Sequence, residues 1–306
     1  MISIIGSGRV GSAIAFLAAS TSLDDIHLVN LHKDEALGQA LDISSAIPAD
    51  SKISVVGTDY SDIRNSKVIV ISASTKTYMT SRTEMMSEQI KMIRDIAKKI
   101  KRYAPDSKIL MITNPVDVLT YVFQKEINLP REKVIGVASS LDSARFRYLL
   151  ARELITTQSE IKNALVLGEH GDSMVPIYSI VKWQDTPVLE LLDDKKVEKI
   201  TRDLRFYWKD IRKLKGPSIF GIAKNTVDII KSIINNEEIS IPASVLLNGE
   251  YGLSDVCMGV PVRINKEGIK NIEEIKLTKS EGNLLCHSAD TIRNYIYLKH
   301  TTQFHK

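Results

Sequence analysis

A histidine between glycines, a carboxylate and a guanidinium at i and i+3, and an asparagine before a proline are the groups in this chain equipped to move a proton and hold an anion. Gly168-Glu169-His170-Gly171-Asp172 follows an apolar run, which places His170 on a loop, and imidazole changes charge near neutral pH. Within Leu141-Asp142-Ser143-Ala144-Arg145, the helical spacing puts Asp142 and Arg145 on one face. Thr113-Asn114-Pro115 also follows an apolar run, so Asn114 sits at the C-terminal end of a strand, where ligands collect in open parallel sheets. Taken singly, the three segments read first as a surface histidine, a helical ion pair and a strand cap.

A fourth segment binds rather than reacts. Gly6-Ser7-Gly8-Arg9-Val10-Gly11 has the form GxGxxG, directly after an apolar run and at the head of a helical pattern. The first glycine permits a tight turn, the second lets backbone approach a pyrophosphate, and the third lets helix and strand pack closely; the helix N-terminus presents N–H groups and positive dipole. A dinucleotide is expected here. The acidic residue that usually takes the ribose hydroxyls about 20 positions on is replaced by Asn30. An amide can bond a 2′-hydroxyl but brings no charge to repel a 2′-phosphate, and His32 and Lys33 follow, so NADP is admitted beside NAD. Equally, His32 and Lys33 read as the start of a surface helix.

These groups need elements to carry them. Short apolar runs at 2–5, 25–31, 52–57, 67–72, 108–113 and 133–137 alternate with helical patterns at 9–20, 33–45, 84–103 and 116–125. That alternation predicts a parallel sheet with helical crossovers, and continuous apolar runs fit strands buried on both faces. After about residue 140 the pattern changes to long helices at 141–154, 194–214, 218–235 and 278–298 among mixed short strands. The expected fold is therefore α/β, a doubly wound parallel sheet with a second α+β domain, divided at 1–139 and 140–306.

Composition narrows the class further. The 306 residues are 43% hydrophobic and 25% charged, as in ordinary globular domains, which excludes disordered, collagenous and coiled-coil chains. A net charge of +4 is too small to argue for nucleic acid. The basic, aromatic stretch from Asp193 reads as a solvated helix with Ile200, Leu204, Tyr207 and Ile211 turned inward. Cys257 and Cys286 are far apart, and His27, His32, His287, His300 and His305 show no ligand spacing, so neither a disulfide framework nor a metal is expected. No segment has the length of apolar residues that a membrane span needs, and glycines and Arg9 break the N-terminal run before it could act as a signal peptide. The expectation is a cytoplasmic protein.

Taken together and in order, the segments resemble the malate/lactate dehydrogenase family. GSGRVG at 6, ALDI at 40, ITNPVDVLTYV at 112, LDSARFRYLLARELI at 141, LGEHGDSMVP at 167, KGPSIFG at 215 and LNGEYGLSDVCMGVPV at 247 carry the likeness over nearly the whole chain. The resemblance implies a Rossmann domain, a smaller catalytic domain, and hydride transfer between a 2-hydroxy acid and a nicotinamide cofactor. It implies His170 as general base and acid, Asp142 as the carboxylate that holds its ring, and Arg145 as the fork for the substrate's C1 carboxylate. It further implies Arg82 as the loop arginine polarising the carbonyl, Asn114 on substrate or nicotinamide ribose, Ser218 in the substrate pocket, and Ile112 and Gln89 beside the cofactor.

Substrate choice in this family resides largely in the loop before Arg82. Malate enzymes resemble RKPGMTR there; this loop is shorter, and Lys76 is the nearest cation on the N-terminal side of Arg82. Lysine can pair with a distal carboxylate but lacks the guanidinium fork. Malate is therefore expected ahead of lactate, with a non-catalytic dinucleotide-binding protein as the remote reading. The resemblance also implies a homodimer or homotetramer.

Overall fold

The computed structural model describes the backbone of residues 1–75 and 82–300 and the side chains of 1–75 and 86–296. Its first half alternates strand and helix: β1 (Ile2–Ile5), α1 (Arg9–Ser20), β2 (Ile26–Val29), α2 (Lys33–Ser44), β3 (Val55–Thr58), β4 (Val68–Ile71), α3 (Arg82–Tyr103), β5 (Lys108–Met111), α4 (Val116–Ile127) and β6 (Val134–Gly136). There follow α5 (Ser139–Glu153), β7 (Ile161–Lys162), β8 (Val166–Leu167), β9 (Val175–Pro176), β10 (Lys182–Trp183), β11 (Thr186–Pro187), α6 (Asp194–Lys215), α7 (Phe220–Asn235), β12 (Ile239–Asn248), β13 (Ser254–Asn265), β14 (Gly268–Ile272) and α8 (Lys279–His300). No described helix is long and apolar enough to cross a membrane.

The Ile/Val runs form strands because a sheet covered on both faces buries every position. All residues of β1 and β4 are buried; the one polar member, Ser3, bonds Ser66 Oγ at 2.6 Å. β1 lies between β2 and β4, with Ile2 level with Ile26 and Val68, and Ile5 level with Val29 and Ile71. β2 pairs with β3, β4 with β5 and β5 with β6, all in parallel. The resulting order, β3-β2-β1-β4-β5-β6, is the doubly wound arrangement, in which chain direction diverges between β1 and β4 and leaves a crevice at the strand C-termini.

Contacts divide the chain into two compact units. The first comprises 1–137, 219–240 and 263–271; the second comprises 138–218, 241–262 and 272–306. The units are not colinear with the sequence. α7 lies in the first unit and packs on α1. In the second unit, α5 packs on α6 and β8 over a core that includes Phe146, Leu150, Val166, Tyr178, Ile200 and Leu204. Phe146 and Tyr178 meet edge to face at 4.8 Å between centroids. This core immobilises the face of α5 that carries Asp142 and Arg145.

Candidate active site

One group of candidate residues is built on α5. Its N-terminal turns bury polar groups, Asp142 at 1% exposure and Arg145 at 8%, where an ordinary amphipathic helix would bury aliphatic ones. Such burial requires partners, and both residues have them. Asp142 Oδ2 lies 2.6 Å from His170 Nδ1, and Asp142 Oδ1 accepts from Arg145 Nη1 at 3.3 Å. One carboxylate therefore orients the imidazole and neutralises the guanidinium. Arg145 Nη2 donates to Ser218 Oγ at 3.3 Å, and the guanidinium carbon stands 5.3 Å from the centroid of the Tyr207 ring, within cation–π range. His170 itself is 19% exposed, more than Asp142 or Arg145.

The loop that carries His170 is fixed by its backbone. Gly168 exchanges hydrogen bonds with Gly259, at 2.8 and 2.9 Å, and adopts φ +87°. A Cβ at Gly168 would stand 2.5 Å from Ser288 Oγ, so glycine is demanded twice, by conformation and by space. Glu169 N donates to Ser288 Oγ at 2.7 Å, while the Glu169 carboxylate accepts from the Ser173 amide and hydroxyl. The helix is tied to the same region: Ser143 Oγ donates to Ser139 O and accepts from Val166 N. Imidazole and carboxylate thus sit on braced backbone.

The second group of residues belongs to the first unit and lies along the C-terminal ends of β1, β2, β4 and β5. Gly6 has φ +96°, and a Cβ there would come 2.5 Å from Ala73 N; a Cβ on Gly11 would come 2.0 Å from Gly6 O. Ser72 Oγ donates to Gly6 O at 2.7 Å, holding the turn shut. Gly8, by contrast, is exposed with open space beside it, and it begins α1 with no side-chain cap and no acidic residue in the first turn. Ser7 is buried, Arg9 exposed and Val10 half-buried. Asn30 ends β2 half-buried, its Nδ2 donating to Ser7 Oγ at 2.9 Å and to Glu35 Oε2 at 3.2 Å. Ile112 is buried and Gln89 half-buried on α3. Asn114 is exposed; its Oδ1 accepts from Val116 N at 3.3 Å, and its NH2 is the donor that could serve a ligand.

The sequence itself extends this geometry to known proteins. Residues 1–136 match the NAD-binding domain, and residues 139–303 the α/β C-terminal domain, of lactate/malate dehydrogenases. The chain belongs to the lactate/malate dehydrogenase family. Among curated relatives, malate dehydrogenase of Pelagibacter ubique is 37% identical over 95% of this chain and 94% of its own length. L-lactate dehydrogenase 1 of Listeria innocua is 31% identical over 96% of both. The solved malate dehydrogenase of Aeropyrum pernix superposes with a TM-score of 0.91 at 31% identity, covering 97% of this chain and 98% of that one.

An oxidoreductase fold with an NAD-binding domain is what the family implies, and the residues present fit the dinucleotide. The uncapped N-terminus of α1 offers N–H donors and positive dipole, and the open side of Gly8 lets a pyrophosphate reach them. Two sequence-predicted residues, Lys76 and the Arg82 side chain, lie outside the described residues; Arg82 is the first residue of α3. Other contributors carry no sequence signal that points to the site. Tyr207 reaches Arg145 from α6, Ser288 reaches the His170 loop from α8, and Glu35 reaches Asn30 from the next helix. All three are of common type and distant or unpatterned in sequence.

Proposed function

We propose that this dehydrogenase interconverts (S)-malate and oxaloacetate, with His170 as the general base and acid. The observation that carries the reading is the buried Asp142 carboxylate bonded at once to His170 Nδ1 and to Arg145. In the oxidising direction the C2 hydroxyl gives its proton to His170 Nε2, Nδ1 being held by Asp142, and C2 becomes a carbonyl as its hydrogen leaves with the electron pair. The nicotinamide ring of NAD, when bound, accepts that hydride. Asp142 offsets the positive charge arriving on the imidazole, as a carboxylate does in an Asp–His pair. Arg145 holds the C1 carboxylate with N–H groups not spent on Asp142 and Ser218, and the Tyr207 face and the Ser218 hydroxyl keep its plane in place.

Asn114 donates to substrate oxygen or to the nicotinamide ribose, and Ile112 and Gln89 border the cofactor. Gly6, Ser7, Gly8, Arg9, Val10 and Gly11 cradle the pyrophosphate, and Asn30 stands on the ribose side. Arg82 polarises the C2 oxygen and Lys76 pairs with the distal carboxylate of a four-carbon acid, roles that rest on the sequence likeness. Lysine in place of a guanidinium keeps the lactate reading in play, and an L-lactate dehydrogenase is among the relatives. The family likeness also supports a cytoplasmic homodimer or homotetramer.

A steady-state matrix of oxaloacetate and pyruvate against NADH and NADPH tests the reading. Oxaloacetate is expected to exceed pyruvate in kcat/KM by at least about tenfold, the smallest margin that a specific carboxylate contact provides. Pyruvate ahead of oxaloacetate replaces malate with lactate; turnover of neither overturns the catalytic assignment.

A further inference from the structure

The missing acidic residue after β2 has a substitute in space. Asn30 occupies the position, but its side chain is spent on the protein: Nδ2 on Ser7 Oγ and Glu35 Oε2, and Oδ1 on the His32 amide at 3.2 Å. A ribose diol is held by an acceptor able to take hydroxyl protons, and beside Asn30 that acceptor is the Glu35 carboxylate. Glu35 is exposed, in the first turn of α2, and its carboxylate accepts from the Asn30 amide.

Resting on the dinucleotide reading above, we propose that Glu35, not residue 30, supplies the negative charge that sets cofactor choice, so that the site takes NAD and rejects the 2′-phosphate of NADP. The neighbouring charges agree. Lys33, the cation that could have met a 2′-phosphate, is ion-paired with Asp59 at 2.6 Å, and Asp62 accepts from Thr58 close by. Arg9 and His32, both exposed, stand on the opposite side of the balance. The amide of Asn30 thus works as a tether: it brings a carboxylate from the helix to the place where the pattern usually has one on the strand.

The test is equilibrium binding of NADH and NADPH to the full chain, followed by cofactor fluorescence, for the native protein, Glu35→Gln and Asp34→Asn. The native chain is expected to bind NADH at least about tenfold tighter than NADPH, and Glu35→Gln to cut that ratio by about tenfold, mostly by tightening NADPH. Asp34→Asn, which removes the same charge one residue away, is expected to leave the ratio within about twofold. A ratio unmoved by Glu35→Gln, an equal effect from Asp34→Asn, or native preference for NADPH overturns the role of Glu35 while leaving the dinucleotide site intact. Binding of neither nucleotide to the native chain overturns the site and this proposal together.

Discussion

Asp142 is the residue on which the proposed chemistry turns, because a single buried carboxylate has to serve two cations during each cycle, one permanent and one transient. His170→Ala is expected to lower kcat by about 10²–10⁴, the usual worth of a positioned general acid–base, with NADH affinity unchanged because the ring acts on substrate. Stopped-flow turnover beside fluorescence titration checks both parts. Asp142→Asn is expected to do comparable damage, since an amide neither fixes the Nδ1–H tautomer nor stabilises the imidazolium. Arg145→Lys is expected to raise the KM for the oxo acid by roughly ten- to a hundredfold with a smaller change in kcat, because ammonium has neither the fork nor the planar stack on Tyr207. The trio was legible in the sequence because each member lies in a short segment whose local spacing is informative. Tyr207, Ser288 and Glu35 were not, since nothing local distinguishes a tyrosine on a basic helix, a serine on another, or a glutamate among surface charges.

The start of α8 ties stability to pH. Thr278 and Glu281 cap its start reciprocally: Thr278 N donates to Glu281 Oε2 at 2.9 Å and Glu281 N to Thr278 Oγ1 at 3.2 Å. The Ser179 amide and hydroxyl also donate to the Glu281 carboxylate, joining the helix to the turn after β9. Burial alone would raise its carboxyl pKa, but these donors together hold it below the ordinary 4.5. The native state therefore releases this proton more readily than the unfolded chain does. Its contribution to stability is complete above pH 4.5 or so and is lost as pH falls through the lowered native value. Glu281→Gln is expected to lower stability near neutrality by about 1–3 kcal/mol through poorly satisfied donors, and to lose less than the native chain on acidification. Thermal melts from pH 7 to 3 check it; parallel curves would assign the acid sensitivity elsewhere.

Elements of this kind differed in how far the sequence revealed them. β1 and α1 fall at the residues predicted, because a run of isoleucines ended by glycines and a helix begun by them have sharp edges. β3 begins at Val55 instead of Lys52, since Ser54 is drawn to Asp25 Oδ1 by both its amide and its hydroxyl, a long-range contact with no sequence mark. α4 runs on to Ile127, where Asn128 turns left-handed at φ 57° and stops it.

At the scale of the molecule, each unit draws on three separate stretches of the chain. α7 presents Ile222, Ala223, Val227 and Ile230 as buried residues and packs on α1, the helix that begins at the glycine loop. A fragment of residues 1–139 is therefore expected to lack a stable dinucleotide site although it contains every glycine of the loop. Near-UV circular dichroism, dye binding to exposed apolar surface and NADH titration of that fragment check this. A cooperative melt with native NADH affinity would show that α7 is dispensable.

The same threading bears on how the protein is made. The nucleotide-binding unit needs residues as late as Asn271, while most of its sheet is complete by Val137. At about 5–20 residues per second, a ribosome adds the intervening stretch over on the order of ten seconds. Until Asn235 completes α7, the buried face of α1 waits without it, a window for chaperone capture or aggregation that a chain with colinear domains would not open.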